Sequence, residues 1–550
     1  MLEGRCEEAL TPLKTALNLY KQEIKNTKSN SSIIYSYLLD EANIIRNLTH
    51  CHFQLQDYDS LILSLDNSLE VRKAMIDEEY LPTPTQEQAI DIRNALANNI
   101  ENWRRRLTND SDKIIALDEA QPFLQKLTAY LVELDAKEEA LLASETSRAR
   151  AFIDLLEKQV SSSTLKTTIN AKPPTIQQIK KIAKRQNATL VEYSIIDTLN
   201  SGETFLYIWV VKPTGEIAFE QVNLTQSLNN TSLQDIVINS RESIGVRGRS
   251  SIMVEPLTEE EQSNKLQQLH QLLIEPISDL LPSDPNQPVI FIPQGELFLV
   301  PFPALQDKEG TYLIEKHTIL TAPAIQVLDL TQKQQANVEQ ANLQGKVIVG
   351  NPTMPEVTVK IGEPPVQLRP LPAAETEAIE IAKLFNTQPL IGSQATKKTI
   401  VSQLPQARII HLATHGLLDD FQGLGVPGAI ALAPSGNDNG LLTANEILDL
   451  KLNAELVVLS ACDTGRGRIT GDGVIGLSRS LITAGVPSVI VSLWSVPDAP
   501  TASLMTEFYR NWQEKEMDKA QALRQAMLTT MKTHRNPKNW AAFTLIGETE

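Results

Sequence analysis

Cysteine is nearly missing from this chain: Cys6, Cys51 and Cys462 are the three in 550 residues. Three thiols cannot staple a fold of that length and none belongs to a CxxC pair, which excludes a disulfide framework and points to a reducing compartment. Long apolar runs are missing too. No stretch reaches the roughly 18 residues that a membrane-spanning helix needs. The opening, MLEGRCEEALTPLKTAL, has no basic segment leading into an unbroken apolar one, so it does not read as a secretory leader. Positive charge is short: 50 Lys and Arg face 67 Asp and Glu, a net charge of −17. That argues against a binder of phosphate backbones, whose affinity rests on clustered cations. The expectation is a soluble cytoplasmic protein with neither a nucleic-acid nor a membrane partner.

What remains is ordinary globular material, 42% hydrophobic and 21% charged, and long enough for more than one domain. Residues 1–158 predict helix. Apolar residues recur at spacings of three and four, as in Leu55, Tyr58, Leu61, Ile62, Leu65 and Leu69, and Gly and Pro are scarce. From 117 to 158 there are two further helical runs, the second with Leu141, Leu142, Ala149, Phe152, Ile153, Leu155 and Leu156 on its apolar side. Residues 159–175 are polar and β-branched, end in Pro173-Pro174, and predict a linker.

From residue 176 the pattern changes. Thr189–Ile196 and Thr204–Val211 read as strands of an antiparallel meander continued past the Pro213-Thr214-Gly215 turn, and 257–281 reads as helix. Beyond 286, apolar runs at 288–293, 345–350, 408–413, 455–460, 487–494 and 541–547 are interleaved with helices near 374–385, 474–485, 499–513 and 517–532. Unbroken apolar strands alternating with helices predict a mainly parallel sheet covered on both faces, with the chemistry in loops at the strands' carboxyl ends. The fold class is therefore a helical region followed by an α/β domain.

Two strand ends carry candidates for chemistry. One is His411-Leu412-Ala413-Thr414-His415-Gly416; the other is Leu456 to Gly465, LVVLSACDTG, with Cys462. Taken singly, a lone cysteine is a small hydrophobe and a lone histidine a packing residue. Neighbouring parallel strands would bring the two loops together, and a thiol beside an imidazole is what acyl transfer by cysteine requires. Caspases carry a Q-A-C-x-G signature with the catalytic histidine about 50 residues upstream. Here Cys462 follows His415 by 47 residues.

On these residues the chain resembles the CHAT family, the caspase-like domain associated with tetratricopeptide repeats, in the clan of caspases and separase. The resemblant blocks are RARAFIDLL (148–156), PFPAL (301–305), GTYLIE (310–315), HLATHG (411–416), NGLLTANEI (439–447), LVVLSACDTG (456–465), the run 471–498 and WAAFTLIG (540–547). The stretch 47–71, NLTHCHFQLQDYDSLILSLDNSLEV, resembles one degenerate tetratricopeptide repeat, and residues 4–19 resemble the second half of another. A half repeat predicts that further repeats precede Met1 in the complete protein, because a solenoid unit needs neighbours to bury its faces. The expected organisation is 1–80 degenerate repeat helices, 81–158 helical region, 159–175 linker and 176–550 caspase-like domain, divided into 176–285 and a catalytic core at 286–550.

The resemblance implies a cysteine endopeptidase without cofactor, with His415 as general base and Cys462 as nucleophile. The thiolate would attack the scissile carbonyl, the imidazolium would protonate the leaving amine, and the backbone N–H groups of Gly416 and Cys462 would hold the oxyanion. The segment 493–498 resembles the separase stretch that lines the pocket for the residue before the cut. It makes Asp498, with Asp463 and Trp494, a candidate pocket for Arg or Lys, although Ser495 stands where separase has a further aspartate. A protein substrate is implied, together with a regulatory or substrate-presenting protein on the repeats. The alternative is a catalytically silent scaffold. Gly471, Gly473 and Gly476 spell GxGxxG but sit too far beyond their strand for a dinucleotide site. His411 and His415 have the HxxxH frame of a zinc peptidase, but Leu412 replaces its glutamate base, so no metal is expected.

Overall fold

The computed structural model describes residues 6–26, single helical positions between 41 and 94, and 110–161, 173–197, 202–228, 231–246, 258–357, 364–417, 428–460, 468–470 and 473–549. The chain divides into two compact units, residues 1–151 with 195–206, and residues 152–194 with 207–550.

The first unit is helical where described. Helices run Cys6–Asn26, Asp110–Glu133 and Lys137–Thr146. The last two pack on each other, and Phe123, Leu124, Leu127, Tyr130, Leu131 and Leu141 are buried. Asp135 makes the reversal between the last two in the left-handed region at φ 57°, a conformation that aspartate tolerates better than most residues. Cys6 and Cys51 are both buried, and burial followed by the neighbouring Cys6 thiol pushes the Cys51 thiol up to about 12. A thiol held that far from ionisation is a packing group. The repeat-like stretch 47–71 and the linker lie largely outside the described residues.

The second unit is built on a sheet of eleven strands among the described residues. Its strands are β1 (Thr189–Asp197), β2 (Thr204–Val211), β3 (Ile217–Asn223), β4 (Pro288–Ile292), β5 (Thr318–Thr321) and β6 (Gly345–Pro352). A short pair, β7 (Glu356–Val357) and β8 (Val366–Gln367), stands apart from it. The sheet continues with β9 (Leu390–Gly392) and β10 (Ala407–Ala413). Next come β11 (Gly416–Leu417), β12 (Ala429–Ala431) and β13 (Leu441–Thr443), which form a separate three-stranded sheet. Last are β14 (Leu456–Ser460), the hairpin β15 (Arg468–Thr470) and β16 (Gly473–Ile475), then β17 (Ser488–Ser492) and β18 (Phe543–Gly547). The order across the large sheet is β3-β2-β1-β4-β5-β18-β17-β14-β10-β6-β9.

The sheet is mainly parallel, in two blocks of opposite direction. β1, β4, β5 and β18 run one way, and β17, β14, β10, β6 and β9 the other. The blocks meet at the antiparallel pair β17–β18. The cause is the connection between those strands. Helix Asp498–Gln513 leads away from the end of β17 and helix Lys519–Thr533 packs on it and returns, so β18 begins near where β17 ends. A single crossover helix would have made the pair parallel.

Candidate active site

β10 and β14 are adjacent and parallel, with Ala413 opposite Ser460. Both are buried along their length except at Arg408, which reads as a central strand pair should. His415 lies two residues beyond Ala413. Cys462 lies two residues beyond Ser460 and, with Asp463, is outside the described residues.

The backbone around His415 is fixed on the side of the small sheet. Ala431 N–H donates to the His415 carbonyl at 2.9 Å, the Thr414 hydroxyl donates to the Ala431 carbonyl at 2.7 Å, and Gly416 pairs with Ile430. The ring is fixed by a group that no side-chain motif reveals. His415 Nε2 lies 2.8 Å from the main-chain oxygen of Arg369. A carbonyl oxygen only accepts, so Nε2 carries the proton and the neutral ring keeps its lone pair on Nδ1.

Arg369 belongs to the lead-in of helix Pro372–Leu384, whose start has no cap from its own Leu371 side chain. Other elements supply the missing acceptors. Asn351, at the end of β6, accepts from Leu371 N–H at 2.8 Å and donates to Glu375 at 3.0 Å. Asp498, first residue of helix Asp498–Gln513, accepts from Ala373 N–H through Oδ2 at 2.8 Å. Asp498 is thus placed one short helix lead-in away from His415, with one carboxylate oxygen already engaged.

Trp494 is fully buried. Its indole N–H donates to the Lys538 carbonyl at 3.1 Å, and the Arg241 guanidinium lies 5.4 Å from its ring centroid. Arg241 also donates to the carbonyls of Leu299 and Leu493, both at 2.8 Å, which anchors the segment leading to Asp498. The structure therefore ties both His415 and Asp498 to the start of helix Pro372–Leu384, through Arg369 and Ala373, and buries Trp494 against Arg241 and the Lys538 carbonyl. Among the described residues no group of three His, Cys, Asp or Glu side chains is arranged to hold a metal.

The CHAT domain model matches residues 263–548, more than half of the chain and all of this strand-end architecture. The chain belongs to the CHAT family. Among curated proteins it is similar to tetratricopeptide repeat protein 28 of Mus musculus and of Homo sapiens, 26% identical to each over 554 aligned positions. Those alignments cover 77% of this chain but 22% of either relative, so the chain spans about a fifth of their length. Among solved structures, the Arg specific cysteine proteinase gingipain R overlays with TM-score 0.34 and 12% identity, over 59% of this chain and 75% of that one. Separase in the Saccharomyces cerevisiae separase–securin complex overlays with TM-score 0.43 and 11% identity, over 97% of this chain and 48% of that one. Overlays as loose as these say nothing about chemistry. The CHAT match and the two-block sheet stand without them, and among the described residues no helix is long and apolar enough to cross a membrane.

Proposed function

We propose that this CHAT protein is a cysteine endopeptidase of caspase-like type, with Cys462 as nucleophile and His415 as general base. The supporting observation is the 2.8 Å contact between His415 Nε2 and the Arg369 carbonyl at the end of β10, next to the strand that runs into Cys462. His415 and Cys462 each follow by two residues in the sequence the paired strand ends Ala413 and Ser460, which is the placement the reading rests on. In the proposed reaction Nδ1 takes the Cys462 proton and the thiolate adds to the scissile carbonyl. The C–N bond then breaks as the imidazolium returns that proton to the leaving amine, and water hydrolyses the acyl-enzyme by the same path in reverse roles. Arg369 keeps the ring turned so that Nδ1 and not Nε2 is the basic atom. The backbone N–H groups of Gly416 and Cys462 would stabilise the oxyanion, each worth about two to three orders of magnitude in rate.

Cleavage after a basic residue is the finer part of the proposal. Asp498 is half-buried, with Oδ2 on Ala373, so Oδ1 is the atom a substrate guanidinium would meet; Asp463 would supplement it. Helical repeats in the first unit would recruit the substrate or a regulatory protein. Digestion of a proteome-derived peptide library with wild type and Cys462→Ala tests the proposal, new N-termini being read by mass spectrometry. Cleavages unique to wild type, with basic residues before the cut, are expected. Identical libraries would overturn it in favour of a silent scaffold.

A further inference from the structure

Helix Pro372–Leu384, β10 and helix Asp498–Gln513 enclose a polar chain that the proposed chemistry does not use. His411 and Tyr509 are 0% exposed and Glu377 is 1% exposed. His411 Nε2 lies 2.8 Å from Glu377 Oε1, and His411 Nδ1 lies 3.2 Å from the Tyr509 hydroxyl. The Tyr509 ring meets the imidazole edge-on at 5.4 Å and 72°. Burial, and then the Glu377 carboxylate, push the Tyr509 phenol well above its ordinary 10, so it stays a donor. The assignment is then consistent along the chain. Glu377 accepts from Nε2–H, and Nδ1 accepts from the tyrosine hydroxyl.

Apolar side chains of similar volume would fill this space at no desolvation cost, so a carboxylate, an imidazole and a phenol buried together call for another reason. The three elements supply one, because hydrogen bonds join every pair of them and the first pair twice. β10 and the lead-in and body of helix Pro372–Leu384 are joined at His411–Glu377 and again, just past the strand, at His415–Arg369. Helix Asp498–Gln513 is joined to the same frame at Tyr509–His411 and at Asp498–Ala373. His411 lies four residues before His415, about 13 Å along a strand, so it cannot touch the reacting atoms. Its hydrogen bonds are directional where van der Waals packing would permit sliding. They fix the height of the helix along β10, and with it the position of the Arg369 oxygen.

We propose that Glu377 and Tyr509 are positioning residues: through His411 they lock helix Pro372–Leu384 to β10 and so hold the Arg369 carbonyl against His415 Nε2. The inference rests on the dyad proposed above and deepens it. Misplacing a catalytic group by about 1 Å can cost on the order of a hundredfold, and loss of one lock should cost about tenfold.

The test needs no substrate. In the full chain, the rate of Cys462 alkylation by iodoacetamide is followed against pH through the Cys462 peptide. The dyad gives wild type a reactive limb below the free-thiol value near 8.5, and His415→Ala moves it up. Tyr509→Phe, which keeps the ring and removes only the hydroxyl, and Glu377→Leu are expected to slow alkylation at neutral pH about tenfold. Glu377→Gln, which can still accept from Nε2–H, is expected to keep the wild-type profile. If Tyr509→Phe and Glu377→Leu follow wild type while His415→Ala does not, the positioning role is overturned and the dyad stands. If His415→Ala follows wild type, the dyad fails and the positioning role with it. Should Glu377→Leu not fold, Tyr509→Phe decides alone.

Discussion

A main-chain oxygen decides what the most informative residue of this chain can do. His415 stood out in the sequence as a candidate because it follows an apolar strand and precedes glycine in the HLATHG block that resembles the CHAT family's. Arg369 was not legible, because its contribution is a carbonyl that any residue type would offer. The same limit applies to Asp498. Sequence marks a carboxylate at the head of a helix, but only the structure shows it accepting from Ala373 of a second helix. Asp498→Ala should therefore destabilise the protein by about 0.5–2 kcal/mol, the usual worth of a helix-start acceptor, seen as a lower urea midpoint. An unchanged midpoint with altered cleavage preference would mean that Asp498 serves substrate alone.

Between elements, a glycine sets the distance on which the site depends. β6 approaches helix Pro372–Leu384 at Gly350, where a Cβ would stand 2.4 Å from both the Ala374 carbonyl oxygen and the Ala378 methyl. Gly350→Ala should push the helix off the sheet at an overpacking cost of about 1–3 kcal/mol. It should slow Cys462 alkylation as well, since Arg369 rides on that helix; a loss of stability with unchanged alkylation would uncouple the two. The long apolar strands and their helices were legible because short buried runs rich in Val, Ile and Leu, alternating with helices, have few alternatives. Helix Ile325–Ala341 escaped notice for the opposite reason. Part of its buried side is polar: Thr331 donates to Glu548 at 2.6 Å and Gln334 to the Ile482 carbonyl at 2.8 Å. Polar residues at core positions erase the periodicity that marks a helix.

Across the second unit, the closing strand brings a carboxylate into the interior. Glu548 follows β18, is 6% exposed and accepts from Thr331 and Gln186. Burial raises its pKa despite those hydrogen bonds. A carboxyl whose folded value is raised adds stability in full below its unfolded value, near 4.3, and loses it as pH climbs through the folded value. Glu548→Gln, permanently neutral and of similar shape, should therefore gain on wild type as pH rises. Chemical unfolding of both at pH 5 and pH 8 measures this, and a gap that does not change between the two would refute it.

The sequence by itself determined the family and the alternation of buried strands with helices, and it put forward His415 and Cys462 as candidates, because each is carried by local pattern and residue type. Tertiary structure alone decided the reversal of direction at β17–β18, the carbonyl that sets the His415 tautomer and the buried Glu377–His411–Tyr509 chain. These depend on residues 34, 46 and 98 positions apart meeting in space, as Glu377, Arg369 and Tyr509 meet the two histidines. Backbone oxygens and hydrogen-bond directions acquire chemical meaning only once packing has chosen their neighbours.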